Sequence, residues 1–202
     1  DGRRALVNYA DLASVVGTWH SPQYYAVNRA GLTAAIQKQW AEFGAIMVFN
    51  WHMDQPYTTN GFPQASYRFK SGGANRNVIR QILDGTGGPC GTGAIEGKSS
   101  REPAANPRAW LLAQLADVAD FINGLNDPET GRPIPVILRY PHEADGNWFW
   151  WGNGWCTAEE FRAFCRFEAD YLRRACGPDR ILFAYTPDRQ WKGFGKEGDA
   201  AN

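Results

Sequence analysis

Apolar residues along this chain follow two periods that take turns. Short, mostly apolar runs at residues 12–19, 45–51, 134–140 and 181–185 have the length and the β-branched and aromatic content of buried strands, with Asn50 an exception in the second. Between them the spacing changes to three and four. Leu32, Ile36, Trp40 and Phe43 form one stripe, which predicts a helix over residues 29–43 that stops before Gly44. Leu111, Leu115, Val118, Ile122 and Leu125 form a second, starting near Pro107, a residue suited to a first helical turn. Phe161, Phe164, Cys165, Glu168, Tyr171 and Leu172 make a third, with Thr157 and Glu160 spaced as a capping box at its start and Gly177-Pro178 at its end. Residues 52–97 follow neither period except for a short helical stretch near 77–83. Their Gly-Gly, Gly-Pro and Thr-Gly steps are turn chemistry, and a loop this long in a compact domain usually carries function.

Strands that alternate with helices and are buried along their length predict a parallel α/β fold. The chain has no G-x-G-x-x-G after its first strand and no G-x-x-x-x-G-K-[ST], which disfavours dinucleotide and nucleotide sites. A (β/α)₈ TIM barrel fits better, because its catalytic groups come from the C-terminal ends of several strands. His20, His52, Glu143 and Asp188 occupy such ends. A whole barrel takes about 250 residues in eight strands. Four strands in 202 residues therefore predict one incomplete barrel domain over residues 1–202, lacking strands at both ends.

Composition narrows the partner. The 21 basic residues balance 21 acidic ones, so nothing favours nucleic acid or an anionic membrane, and a neutral or weakly charged partner fits. No apolar run reaches the ~18 residues of a membrane span, and the N-terminus shows no basic-then-apolar signal pattern. Cys90, Cys156, Cys165 and Cys176 lack zinc-ligand spacing. Cys165 and Cys176 share a predicted helix about 16 Å apart, too far to bridge. For Cys90 and Cys156, both in loops, pairing and free thiols are equally open.

The compositional anomaly is aromatic. Nine tryptophans include Trp148, Trp150, Trp151 and Trp155 within eight positions, just after His142-Glu143. Indole faces stack well on flat apolar surfaces such as the C–H faces of pyranose rings. Partial burial among indoles is expected to raise the pKa of Glu143, as a general acid near neutral pH requires. Hydrolysis of a glycosidic bond needs two carboxyl groups, one of which protonates the leaving oxygen, and Glu143 suits that role. An ion pair with Arg139 is disfavoured, since positions i and i+4 of a strand lie about 13 Å apart. His142 fits a structural role as well as a catalytic one, whereas His52, heading a long polar loop, points to substrate contact. His-Glu-Ala-Asp-Gly lacks the second histidine of H-E-x-x-H, and no G-x-S-x-G is present, so metal and serine-nucleophile chemistry are disfavoured.

The stretch Arg-Tyr-Pro-His-Glu-Ala-Asp-Gly-Asn-Trp-Phe-Trp-Trp-Gly at residues 139–152 closely resembles the acid/base motif of glycoside hydrolase family 26, the β-mannanase family. Phe-Asn-Trp-His-Met-Asp-Gln-Pro at 49–56 looks like that family's Trp-His segment, with Gln55 in place of the usual Asn. Residues 156–161 and 183–188 are also similar to family members. The resemblance implies a retaining endo-β-1,4-mannanase acting on mannan or galactomannan, with the four strands as barrel strands two to five and no cofactor or metal. It assigns Glu143 as acid/base and His142 as support for the nucleophile, with His52, Trp148 and Trp151 lining the sugar site. Trp51, Arg139 and Tyr185, within the matched segments, are further candidate substrate contacts. The family's nucleophile is a glutamate in a Thr-Glu context at the end of strand seven, which places it outside this chain. Glu197 does not replace it, and the chain alone is expected to be inactive. His20 stands where the family often has an aspartate. Same-family alternatives cut β-1,3-xylan or mixed-linkage β-glucan, and the rival of another class is a non-catalytic carbohydrate-binding protein. The implied address is secreted, periplasmic or cell-surface.

Overall fold

A computed structural model of the chain describes residues 7–16, 22–57, 77–91 and 104–188; His20 and Glu197 lie outside them. Its elements are β1 (Val7–Asp11), α1 (Pro22–Phe43), β2 (Ile46–Asn50), α2 (Val78–Asp84), α3 (Pro107–Asn123), β3 (Val136–Arg139), α4 (Ala158–Cys176) and β4 (Ile181–Ala184). The strands lie in chain order, each parallel to its neighbour. This is a segment of an α/β barrel.

The caps explain where the helices start. Asn106 accepts from the Ala109 N–H ahead of Pro107, so α3 begins where the proline predicts. Thr157 and Glu160 satisfy each other's backbone N–H groups in the expected capping box of α4. α2 opens after Asn77 and closes on left-handed Gly85. α1 starts at Pro22, ahead of the expected start, with Ile36 on its buried side.

One strand is displaced from its expected place. Residues 12–16 of the expected strand are not a strand: β1 ends at Asp11, and Leu12–Ser14 make one 3₁₀ turn, while residues 17–19 lie outside the described residues. Leu12, Val15 and Val16 are nevertheless fully buried, because a short apolar run reports burial without distinguishing a strand from a buried turn.

The sheet has two unlike faces. Met47, Phe49, Val136 and Leu138 join the core cluster with Leu111, Leu115, Val118, Phe121 and Ile122 of α3 and Phe164 and Leu172 of α4. Phe49 meets Phe121 edge to face at 5.7 Å. Each such buried side chain stabilises the layer by about 1.5–3 kcal/mol. On the opposite, barrel-inner face the register sets Tyr9, Val48, Ile137 and Leu182 side by side. There Val7, Tyr9 and Leu182 are 57%, 59% and 64% exposed. Among the described residues, no helix is long and apolar enough to cross a membrane.

Candidate active site

The C-terminal ends of β1, β2 and β3 place Asp11, Asn50 and Arg139 in adjacent positions. Arg139 donates to Asn50 Oδ1 at 3.0 Å, so its guanidinium is occupied on the rim rather than at Glu143. Beyond β2, the His52 backbone N–H donates to Asp11 Oδ1 at 3.2 Å, and His52 Nδ1 is bonded to Asp11 Oδ2. Burial raises the Asp11 pKa, but the bonds from His52 and the Ala13 N–H outweigh it and hold the carboxyl below its ordinary value. With Asp11 ionised, Nδ1 is the nitrogen that carries the His52 proton, and the ring is fixed in place.

His142 lies behind it, 1% exposed. Its ring meets His52 edge to face at 4.8 Å, Phe149 at 5.0 Å and Trp151 at 5.7 Å. Neither ring nitrogen has a hydrogen-bond partner. Burial, followed by the charges of His52 and Arg139, pulls its pKa down to about 4 against the opposing effect of Asp11. It is therefore a neutral imidazole at neutral pH. An unbonded buried donor costs roughly 1–3 kcal/mol.

Glu143 has φ 52°, the only non-glycine in the left-handed region among the described residues. Such a conformation costs about 1–3 kcal/mol and collects at functional sites. Neighbours hold it there: the Glu143 N–H donates to Thr186 O at 2.9 Å, and its carbonyl accepts from the Gly146 N–H at 3.1 Å. The Asp188 N–H donates to Asp145 Oδ1 at 2.7 Å, a second tie between this loop and the segment after β4. The carboxylate is half-buried, and Oε2 accepts from Trp148 Nε1 at 3.0 Å. The neighbouring indole thus meets the acid with its polar edge, not only its apolar face. Gly146 has no room for a side chain, since a Cβ there would lie 2.2 Å from the Trp148 ring.

The expected tryptophan platform divides. Trp51 and Trp151 are both 0% exposed, so neither offers a face to a sugar, and the expectation that they contact substrate is corrected. Trp51 packs on Tyr140 at 5.0 Å, and Trp151 stacks on Phe149 at 4.5 Å while donating from Nε1 to His142 O at 2.8 Å. They support the strand end that carries His142 and Glu143. Trp148 is half-buried beside Glu143, Arg139 is half-buried on the rim, and Tyr185 is 66% exposed just past β4. All four cysteines are free thiols.

Two groups went unanticipated. Asp11 escapes notice when the first strand is misplaced, because Val-Asn-Tyr-Ala-Asp neither alternates strictly nor forms an apolar run. Glu168 sits in the apolar stripe of α4, 2% exposed, with the Tyr140 hydroxyl 2.9 Å from Oε1. Burial pushes its carboxyl well above the ordinary value despite the Tyr140 bond, so it holds its proton. A carboxylate inside a helix's apolar stripe is the signal for such a group.

Residues 8–196 match the glycosyl hydrolase family 26 model. A mannan endo-1,4-beta-mannosidase of Bifidobacterium adolescentis is 40% identical over 63 residues, 31% of this chain and 6% of that protein. The GH26C protein of Muricauda sp. MAR_2010_75 has the same fold, with TM-score 0.68 and 22% identity over 90% of this chain and 43% of that one. The catalytic domain of an endo-beta-1,4-mannanase from Bacillus sp. JAMB-750 aligns with TM-score 0.65 and 27% identity over 95% of this chain and 42% of that one. The chain thus spans less than half the length of each of these relatives. A match that runs through all four strands means that the chain belongs to glycosyl hydrolase family 26.

Proposed function

We propose that this chain forms the acid/base half of a retaining endo-β-1,4-mannanase site acting on mannan or galactomannan. The observation that carries the reading is Glu143, held in a left-handed conformation at the end of β3 with its carboxylate on the Trp148 indole N–H. In this role Glu143 gives its proton to the glycosidic oxygen while a second carboxylate attacks the anomeric carbon. It then takes a proton from the water that releases the glycosyl intermediate. The second carboxylate belongs to strands that close the open inner face of the sheet, and the buried His142 ring supports it. His52, oriented by Asp11, contacts sugar hydroxyls. Trp148 offers its ring to the sugar, and Arg139 and Tyr185 line the same rim. The activities of the relatives, a mannan endo-1,4-beta-mannosidase and an endo-beta-1,4-mannanase, support mannan over other β-glycans. A polymeric substrate puts the enzyme where the polymer is, in a secreted, periplasmic or cell-surface location.

In the full-length protein, Glu143→Ala is expected to lower mannan hydrolysis by about 10²–10⁴ while mannan binding persists, as followed by reducing-sugar release and affinity electrophoresis. Retained hydrolysis overturns the acid assignment. A parent protein that binds mannan without cleaving it indicates a carbohydrate-binding protein, and cleavage of β-1,3-xylan or mixed-linkage glucan in its place moves only the substrate.

A further inference from the structure

Trp155 is the tryptophan of this loop that the core does not use. Trp150 and Trp151 belong to the buried cluster and Trp148 packs against it, but Trp155 does neither. Its ring is half-buried and pairs with no other aromatic ring among the described residues. It is also held still, because Nε1 donates to Asn147 O at 2.9 Å and fixes the indole by its edge. The backbone beneath is equally constrained. The Asn153 N–H is shared between Ala144 O at 2.8 Å and Gly146 O at 2.7 Å, and the Trp155 N–H donates to Gly152 O at 3.2 Å. Gly154 makes the turn between them at φ 92°. An indole oriented in advance loses little further freedom when a ligand lands on it.

Beside this ring lies a shallow, open cleft of about 380 Å³, lined by Asn77, Asn153, Gly154, Trp155, Cys156 and Thr157. Among the described residues, its lining carries no charged side chain. The Asn77 amide is committed to the Arg80 N–H and to Glu160. Thr157 Oγ1 accepts from the Glu160 N–H, and a hydroxyl that accepts can also donate. The Asn153 side chain is exposed and brings both donors and an acceptor. One flat apolar wall, an amide and a hydroxyl in a neutral cleft match a pyranose, whose C–H face stacks while its hydroxyls give and take hydrogen bonds. The cleft is also on the acid's own loop, since Asn153 bonds to Ala144, the residue after Glu143.

We infer that this cleft is an outer subsite that binds one pyranose unit of the polysaccharide through the Trp155 ring and the Asn153 amide. The inference rests on the reading of the Glu143 loop as a glycosidase site and names where a longer chain is gripped. The test uses the full-length protein carrying Glu143→Gln, titrated calorimetrically with β-1,4-mannohexaose and mannotriose. Adding Trp155→Ala is expected to weaken hexaose binding about tenfold and to bring the affinities for hexaose and triose together. Trp155→Phe, which keeps a flat ring, is expected to recover most of the loss. Unchanged hexaose affinity in a Trp155→Ala variant that melts like its parent overturns the subsite and leaves the acid/base reading intact. A parent that neither binds hexaose with Glu143→Gln nor cleaves mannan as wild type overturns both.

Discussion

His142 ties folding to pH through its burial. Its folded pKa of about 4 lies below the ordinary 6.5, so below pH 6.5 the unfolded chain takes up a proton that the folded protein refuses. The stability it contributes is complete above pH 6.5 and is lost as pH falls toward 4, by up to about 1.4 kcal/mol per pH unit. Asp11 acts in the same direction only below its ordinary 3.8. The His142 share should appear as the difference between urea-unfolding profiles of parent and His142→Gln protein across that window, and a difference flat with pH would refute it. At this scale the motif singles out Glu143 and His142 as candidates, because a carboxyl group beside indoles after a strand is a local pattern. Which indoles keep an open face was not legible. Trp51 and Trp151 look no different from Trp148 until Tyr140 and Phe149 cover them.

Between elements, α4 reaches β3 through Glu168 and Tyr140, directly below the acid loop. Glu168 opposes His142 in its pH behaviour. Its folded pKa is raised, so its contribution is complete below the ordinary 4.5 and is lost as pH rises above that value. Glu168→Gln keeps the shape without needing a proton, and at pH 7 it should be at least as stable as the parent, with the gain shrinking toward pH 4. Glu168→Ala should lose about 2–4 kcal/mol, because it opens a cavity and leaves the Tyr140 hydroxyl poorly satisfied. Chemical denaturation of both variants decides, and a Gln variant as unstable as the Ala one would show that the carboxyl is ionised. Helical stripes and caps were readable here because they depend on neighbours three and four residues away. The position of β1 was not, because it depends on pairing with β2, 39 residues along from Val7 to Ile46.

For the molecule as a whole, the alternation of strands and helices was enough to indicate a parallel barrel segment. The outer face packs against α3 and α4, while the inner face exposes Val7, Tyr9 and Leu182. An uncovered apolar face of this kind favours association. Produced by itself, the 202-residue chain should bind a hydrophobic fluorescent dye and self-associate in sedimentation, and Leu182→Glu should reduce both. A dye-silent monomer would contradict the open face.

The inner face also changes character along the strands. Val48, Ile137 and Leu182 form a hydrocarbon floor, and two residues onward, about 7 Å, Asp11, Asn50 and Arg139 form a hydrogen-bonding rim. Floor and rim occupy alternate positions on the same strands but answer to different demands, one to packing and the other to chemistry. The fold can therefore drift at one level while the other is conserved, and new specificities can be written into the rim of an old enzyme without rebuilding what holds it up.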